Sequence, residues 1–242
     1  MMQFISVFNY GVIELAKNHI KSLRECGINN HCSYVTDEES LIELTALGYP
    51  VVYVKNTQTN KDIFNFGTVD FNNMSFLRYY IIHTLLEQGI DVWYLDVDTV
   101  VLKNVIPIYL DLKQKNNCDI CFQTDLNMPC TGCMLLFAKE KTKQFIKIII
   151  QNKTNQTNDQ ILVGAILRQK QNIIKYGEFS HFTFPNGVMF FGNDFVNVPE
   201  YLVNIKTEYM NKRNETYLVH ANWMIGDETK KNAFKKYGLW KL

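Results

Sequence analysis

Long apolar runs are missing from this chain. No stretch approaches the about 18 consecutive apolar residues that a membrane-spanning helix needs, so no span is expected. A secretory leader is missing as well: Met1-Met2-Gln3-Phe4-Ile5-Ser6-Val7-Phe8 has neither a basic start nor a long apolar core, and it reads as a strand. These absences set the expectation of a cytoplasmic chain, bacterial or in a virus-infected host, unless an anchor has been trimmed from it. The N-x-S/T sequons at Asn73, Asn152, Asn155 and Asn214 would matter only in a secretory lumen. Excess charge of one sign is also missing. With 25 Lys and Arg against 24 Asp and Glu, the net charge is +1. No bulk field then favours nucleic acid or an anionic membrane, and an anionic substrate must be held by locally placed cations. Zinc-type cysteine spacing is missing too. Six cysteines occur, at 26, 32, 118, 121, 130 and 133, but only eight residues separate Cys121 from Cys130, against roughly 15–20 in a double knuckle. Cys118 to Phe122 reads as a strand, which would set the thiols of Cys118 and Cys121 on opposite faces. Reduced, buried thiols are the expectation. No domain linker or internal repeat interrupts the 242 residues, and 47% hydrophobic with 20% charged residues suits one globular domain with a sizeable core.

Against that background one stretch stands out: Asp91-Val92-Trp93-Tyr94-Leu95-Asp96-Val97-Asp98-Thr99-Val100-Val101. A run of β-type apolar residues ends in two carboxylates one residue apart. If the strand continues through them, Asp96 and Asp98 share a face. Two like charges that close repel unless a cation lies between them. The occupant that fits is a hard divalent ion with oxygen ligands. The alternative is a strand end with two solvated acids opening a turn.

The rest of the chain gives that motif its setting. Residues 3–9 read as a strand ending in Asn9-Tyr10-Gly11, and Ile13 to Cys26 carries helical spacing that Gly27 stops. Cys32 to Val35 is a second strand, Glu38–Leu47 a helix capped by Thr36 or Asp37, and Val51 to Val54 a third strand. This alternation opens a parallel sheet of the nucleotide-binding type, where ligands bind outside the carboxyl ends of strands. Residues 55–72 read as a loop and Met74 to Gln88 as a helix. In the second half, Asp119 to Gln123 and Met134 to Phe137 read as strands flanking a polar segment, Thr124–Thr131. Lys139 to Gln151 reads as a helix, Asn155 to Asn158 as a polar linker, and Asp159-Gln160 as the opening of a helix. Phe184-Pro185-Asn186-Gly187 reads as a turn between apolar arms, Val219 to Trp223 as a late strand, and Gly226 to Tyr237 as a basic helix.

Two families place D-x-D at a strand end. Asp96-Val97-Asp98-Thr99-Val100 fits the haloacid-dehalogenase phosphatases, with Asp96 as nucleophile, but there the motif opens the first strand, and here about three strands precede it. The chain resembles more fully the nucleotide-sugar glycosyltransferases of the GT-A type, in particular retaining galactosyl-, glucosyl- and plant-wall xylosyl- or arabinosyltransferases. The resemblance rests on Asn9-Tyr10-Gly11, Asn18, Thr36-Asp37, Arg78 before Asp96-Val97-Asp98, and Thr131-Gly132-Cys133-Met134-Leu135-Leu136. It continues in Asn158-Asp159-Gln160, Phe184-Pro185-Asn186-Gly187, and His220 followed by Gly226, Lys230 and Gly238-Leu239-Trp240. Cys130 departs from the pattern, standing where the family carries Asn, and the spacings from His220 to Gly226 and on to Lys230 are longer than usual.

The resemblance implies an α/β fold of the GT-A, Rossmann-like type, with a mixed, mostly parallel sheet between helices. Residues 1–100 would be the nucleotide-binding half and 101–242 the acceptor side. It implies a metal-dependent glycosyltransferase moving a sugar from a nucleotide-diphosphate donor, a UDP-sugar first, to a glycan or other hydroxyl acceptor with retention. Mn²⁺ or Mg²⁺ would be held by Asp98 and His220, with Asp96 sharing the ion or holding the ribose. The ion would neutralise the leaving diphosphate. Lys230, with amides at the start of the Gly226 helix, would pair with the diphosphate. Asn9, Tyr10, Gly11 and Asp37 would meet the base or ribose, Arg78 would reach the diphosphate or brace Asp96, and Thr131-Gly132 would line the donor sugar. Asp159 and Gln160 would sit at the reacting sugar, with Gln160 stabilising an oxocarbenium-like state. Each residue keeps a plainer alternative: His220 a core histidine, Lys230 a solvated cation, Asp37 a helix cap. The aromatics between Phe179 and Phe195 would form either an acceptor platform or core. A catalytically idle nucleotide-sugar binder is the non-enzyme alternative.

Overall fold

The structure, a computed structural model, describes residues 1–55, 68–126, 128–154, 156, 158–169 and 173–242. Its first half alternates as the apolar periodicity requires. β1 (Met2–Phe8) leads through a 3-10 turn at Tyr10–Val12 into α1 (Ile13–Glu25), and Gly27, with φ of 76°, ends that helix. β2 (His31–Val35) is followed by α2 (Glu38–Ala46), then β3 (Val51–Tyr53). α3 (Val69–Glu87) begins earlier than the sequence pattern suggests, because Thr68 caps it by accepting from the Phe71 N–H at 3.3 Å. The expected loop at 55–72 is therefore helical from Val69, and residues 56–67 lie outside the described residues. β4 (Asp91–Leu95) is buried at every position.

The second half adds β5 (Thr99–Val101), α4 (Ile106–Lys115), β6 (Ile120–Asp125), β7 (Met128–Leu136), α5 (Glu140–Gln151) and α6 (Asp159–Gln169). It closes with β8 (Tyr176–Phe179), α7 (Gly187–Phe191), α8 (Val203–Asn211), β9 (Leu218–His220) and α9 (Asp227–Lys236). The segment Thr124–Thr131 is mostly strand, not a polar break: β6 and β7 form a hairpin whose register shifts between Phe122 and Gln123. Asn186 starts α7 by accepting from the Met189 N–H at 3.0 Å, so Phe184-Pro185-Asn186-Gly187 is a helix entry and not a turn between extended arms. Of the linker expected at 155–158, residues 155 and 157 lie outside the described residues.

The strands make a seven-stranded sheet in the order β3-β2-β1-β4-β7-β6-β8. β1 to β4 run parallel, β7 opposes β4 and β6, and β8 runs with β6. Alternation sends Ile5, Val92, Tyr94, Met134 and Leu136 to one face, where α3, α5 and α6 cover them. Phe4, Trp93, Leu95, Cys133 and Leu135 face the other way, toward Leu23, Tyr109 and Phe184. Both faces are covered, which is why β4 reads as a continuous apolar run. Cys118 precedes β6 and lies with Cys121 in that second cluster, so the two buried thiols share a face rather than oppose each other. β1 neighbours β2 on one side and β4 on the other, which makes their carboxyl ends the switch point of the sheet.

Candidate active site at the carboxyl edge of the sheet

Asp96 and Asp98 are not alternate residues of one strand. β4 stops at Leu95 and the chain turns through Asp96–Asp98 into β5. Thr99 closes that turn, its N–H and hydroxyl both donating to the Asp96 carbonyl at 3.2 and 2.8 Å. β5 then pairs antiparallel with β9, which sets His220 opposite Thr99, and the Ala221 N–H donates to the Asp98 carbonyl at 2.9 Å. A turn and a two-stranded ladder thus bring Asp96, Asp98 and His220 together, each offering a ligand atom within 4.8 Å of the others. The set of two carboxylates and one imidazole suits a divalent ion such as Mn²⁺ or Mg²⁺. Gly132 on β7 shapes the same cradle. A Cβ there would stand 2.5 Å from Asp96 Oδ2 and 2.5 Å from His220 Cε1.

The charges in this cradle are matched. Asp98 is buried, with Lys230 Nζ at 2.8 Å and His220 Nε2 at 3.2 Å. Burial alone would raise its pKa, but Lys230 and then His220 reverse that and hold it well below the usual carboxylate range. Burial pushes the His220 pKa down, and the neighbouring Asp98 outweighs it, so the net direction is up. Gln123 orients the imidazole. Its Nε2 donates to the carbonyls of Phe184 and Pro185 at 3.1 and 2.9 Å, which turns its Oε1 toward His220 Nδ1 at 2.7 Å. An amide oxygen only accepts, so Nδ1 carries hydrogen and Nε2 faces Asp98.

Asp96 is held from behind. The Tyr94 hydroxyl donates to its Oδ1 at 2.5 Å and Arg78 Nη1 at 3.2 Å. Arg78 also donates to the Thr131 carbonyl at 3.0 Å and the Ser75 carbonyl at 2.7 Å, and lies over the Tyr94 ring. Its side chain is only 7% exposed, so it braces Asp96 from within the core instead of reaching outward. Gln160 is pinned between the Thr131 N–H, 3.3 Å from its Oε1, and Asp125 Oδ2, 2.9 Å from its Nε2. Asn158 Oδ1 accepts from the Gln160 N–H at 2.9 Å, making Asn158 the residue that starts α6. Asp159 is buried, accepting from the Tyr79 hydroxyl at 2.8 Å, with Arg78 Nε at 4.0 Å.

A second group lies at the ends of β1 and β2. Asp37 caps α2 through the Ser40 N–H at 2.7 Å and also accepts from the Tyr10 N–H at 2.8 Å, so it ties the Asn9-Tyr10-Gly11 turn to α2. Asn9 and Asp37 are buried and Tyr10 is half-exposed. Gly226, with φ of 85°, starts α9, and Lys230 one turn in reaches back to Asp98. Of the aromatics between Phe179 and Phe195, left open between platform and core, Phe179, Phe184, Phe190 and Phe191 are buried, and Phe182 and Phe195 are partly buried against the core. Four residues at the site escape the sequence reading: Gln123, Asp125, Asn222 and Trp223. Asp125 Oδ1 accepts from Trp223 Nε1 at 2.6 Å and Asn222 Nδ2 at 3.2 Å. The signal for the first two was two polar residues spaced i, i+2 in an apolar strand, which puts them on one face.

A mostly parallel sheet with an acidic, histidine-completed cradle at its carboxyl edge defines a GT-A-type glycosyltransferase fold. The chain belongs to the nucleotide-diphospho-sugar transferase family, which matches residues 27–234. It is similar to a UDP-galactose:fucoside alpha-3-galactosyltransferase of Dictyostelium discoideum, at 21% identity over an alignment of 289 positions, covering 98% of this chain and 43% of that protein. It is also similar to UDP-D-xylose:L-fucose alpha-1,3-D-xylosyltransferase 1 of Arabidopsis thaliana, at 24% identity, covering 75% of this chain and 54% of that protein. The chain thus spans about half the length of these curated relatives. Among solved structures, the galactosyltransferase LgtC in complex with donor and acceptor sugar analogs shares the fold, with a TM-score of 0.59 at 12% identity over 97% of this chain and 96% of that one. Among the described residues, no helix is long and apolar enough to cross a membrane.

Proposed function

We propose that this chain transfers a sugar from a UDP-sugar to a hydroxyl of a glycan, with retention and with a divalent ion at Asp96, Asp98 and His220. The observation that carries the reading is the meeting of those three side chains at the sheet's switch point, beside Gln160. A bound Mn²⁺ or Mg²⁺ would supply Lewis-acid neutralisation of the departing diphosphate. Lys230 holds Asp98 in its charged form, and with the amides at the start of α9 it offers positive charge to an incoming diphosphate. Tyr94 and Arg78 fix Asp96 in place. Asn9, Tyr10, Gly11 and Asp37 serve the base and ribose, and Thr131 and Gly132 border the donor sugar. Gln160 is a neutral amide and a poor nucleophile, which suits stabilising an oxocarbenium-like state without a covalent bond to the sugar. Buried Asp159 positions that helix start through Tyr79. Residues 1–100 act as the donor half and 101–242 as the acceptor half of one catalytic domain.

The two curated relatives are both named for α-transfer to fucose from a UDP-sugar. UDP-galactose and UDP-xylose carry α-linked sugars, so an α-product means retention. Position 3 of a fucoside is therefore the acceptor hydroxyl proposed here. The test is UDP release from UDP-galactose, UDP-glucose and UDP-xylose with Mn²⁺, with and without methyl α-L-fucoside. Turnover of one donor, abolished by chelator and by Asp98→Ala, is expected. Hydrolysis of a generic phosphoester without nucleotide-sugar turnover would sink the reading, and donor binding without turnover would leave an idle module.

A further inference from the structure

The loop after β9 carries a feature that metal binding does not require. Trp223, three residues beyond His220, is 52% exposed and has φ of 69°, the left-handed region that a bulky side chain rarely adopts. Such a conformation persists only where surrounding contacts over-determine it, and such residues cluster at ligand sites. Here the contacts are specific. Asn222 is fixed from two sides: its Oδ1 accepts from the Gly187 N–H at 2.7 Å, and its carbonyl oxygen lies 1.9 Å from where a Cβ on Gly187 would be. Ala221 is buried and bonded to the Asp98 carbonyl. The indole is anchored by its edge, with Nε1 donating to Asp125 Oδ1 at 2.6 Å. The other oxygen of that carboxylate holds Gln160. A residue serving only as a staple would bury its ring. This one is held by its N–H in a strained backbone while half its surface stays open, one carboxylate away from Gln160.

We propose that the exposed face of Trp223 is the platform on which the acceptor pyranose stacks, with Asp125 setting the register between that ring and Gln160. This rests on the transferase reading above and adds the residue that selects the acceptor. An indole face recognises a sugar face made of contiguous C–H groups, through dispersion and the attraction of C–H hydrogens to the π-cloud. A galacto-configured ring such as fucose has that face, with the hydrogens on C3, C4 and C5 on one side. Its O3 is equatorial and projects in the ring plane, past the edge of the platform. Stacked on Trp223 with O3 over the Nε1 edge, the sugar points its reactive hydroxyl toward Gln160. This places an aromatic platform in the loop after β9 and not among Phe179–Phe195.

Saturation-transfer NMR with methyl α-L-fucoside, in the presence of UDP and Mn²⁺, tests the contact without relying on turnover. Wild-type protein is expected to saturate H3, H4 and H5 most strongly. The effect should be lost in Trp223→Ala and Trp223→Gly, the latter relieving the backbone, and retained in Trp223→Phe. In transfer assays, Trp223→Ala should raise the acceptor KM about tenfold, the size a single aromatic contact supports, and lower the ratio of transfer to UDP-sugar hydrolysis by a similar factor. Undiminished saturation or an unchanged acceptor KM in Trp223→Ala overturns the platform, as does absence of saturation in the wild type. Equal loss of transfer and hydrolysis also overturns it, because the ring would then serve the donor. Trp223-dependent saturation without any UDP release would instead leave the platform standing and remove the transferase reading.

Discussion

At the scale of single residues, the metal cradle depends on two that are not themselves proposed as metal ligands. Gly132 is one. It lets Asp96 and His220 approach each other, since a methyl group there would press on both from 2.5 Å. Neither neighbour can retreat cheaply: Asp96 is held by Tyr94 and Arg78, His220 by Gln123. Gly132→Ala is therefore expected to cost about 1–3 kcal/mol of stability through overpacking. Its Mn²⁺ affinity should fall by more than that stability loss would suggest. Isothermal titration with Mn²⁺ beside a thermal melt checks this, and wild-type affinity in Gly132→Ala would show that the cradle is looser than the geometry implies. Gln123 is the other. Gln123→Leu removes the acceptor that keeps hydrogen on His220 Nδ1, and partners of this kind typically contribute about 10–100-fold to metal affinity. The same titration should show a loss in that range, with the circular dichroism of the folded protein retained.

At the scale of elements, the critical joint is the contact between the start of α7 and the loop that follows β9. Gly187 and Asn222 meet backbone to backbone, so a side chain at 187 has nowhere to go. Gly187→Ala should lower Tm by several degrees, at about 2–4 °C for each kcal/mol in a chain of this size, and should displace Trp223 along with Asn222. A variant with unchanged Tm would mean that the loop yields freely. This joint also marks where sequence reasoning stopped. β4 was legible because a strand buried on both faces needs an unbroken apolar run, and α1 and α2 because Gly27, Gly48 and Asp37 punctuate them. Asp96, Asp98 and His220 were legible as residue types. Their meeting was legible only through the family resemblance and not from the local pattern, because it depends on β5 and β9, three residues each, too short to carry any periodicity. The far end of the β6 and β7 hairpin was misread for a related reason: its polar Thr124 and Asp125 look like a loop until the site that needs them is known. Trp223 could not be found from composition, since its meaning lies in its backbone angle and in a carboxylate far away in the chain.

At the scale of the whole molecule, the sheet carries its polar machinery on a buried network that responds to pH. His19 on α1 and His31 on β2 lie edge to face, 5.5 Å apart, and both reach the hydroxyl of Ser6 on β1, at 3.3 and 3.2 Å. Ser6 donates to the Leu95 carbonyl at 2.7 Å, and His19 Nδ1 meets the Thr99 carbonyl at 3.1 Å, so the network underlies the Asp96–Asp98 turn. Burial drives the His19 pKa down to about 4 and that of His31 well below its ordinary value. Both are neutral in the native state, whereas in the unfolded chain they titrate near ~6.5. Below that pH the unfolded state binds protons that the native state refuses, so stability must fall as pH falls, by up to about 1.4 kcal/mol per pH unit for each histidine. For His19 the loss continues until pH passes about 4, where the native residue also takes its proton. His220, whose folded pKa is raised, is protonated in both states below ~6.5 and adds no slope in that window. His181, partly buried and also shifted down by burial, adds a smaller share of its own. Urea unfolding between pH 7 and 5 should therefore show a slope approaching at least two protons. His31→Asn, which keeps a polar partner for Ser6 but cannot ionise, should reduce it by about one. An unchanged slope in that variant would assign the acid sensitivity elsewhere. A reduced slope would mean that the floor beneath the Asp96–Asp98 turn weakens in mild acid.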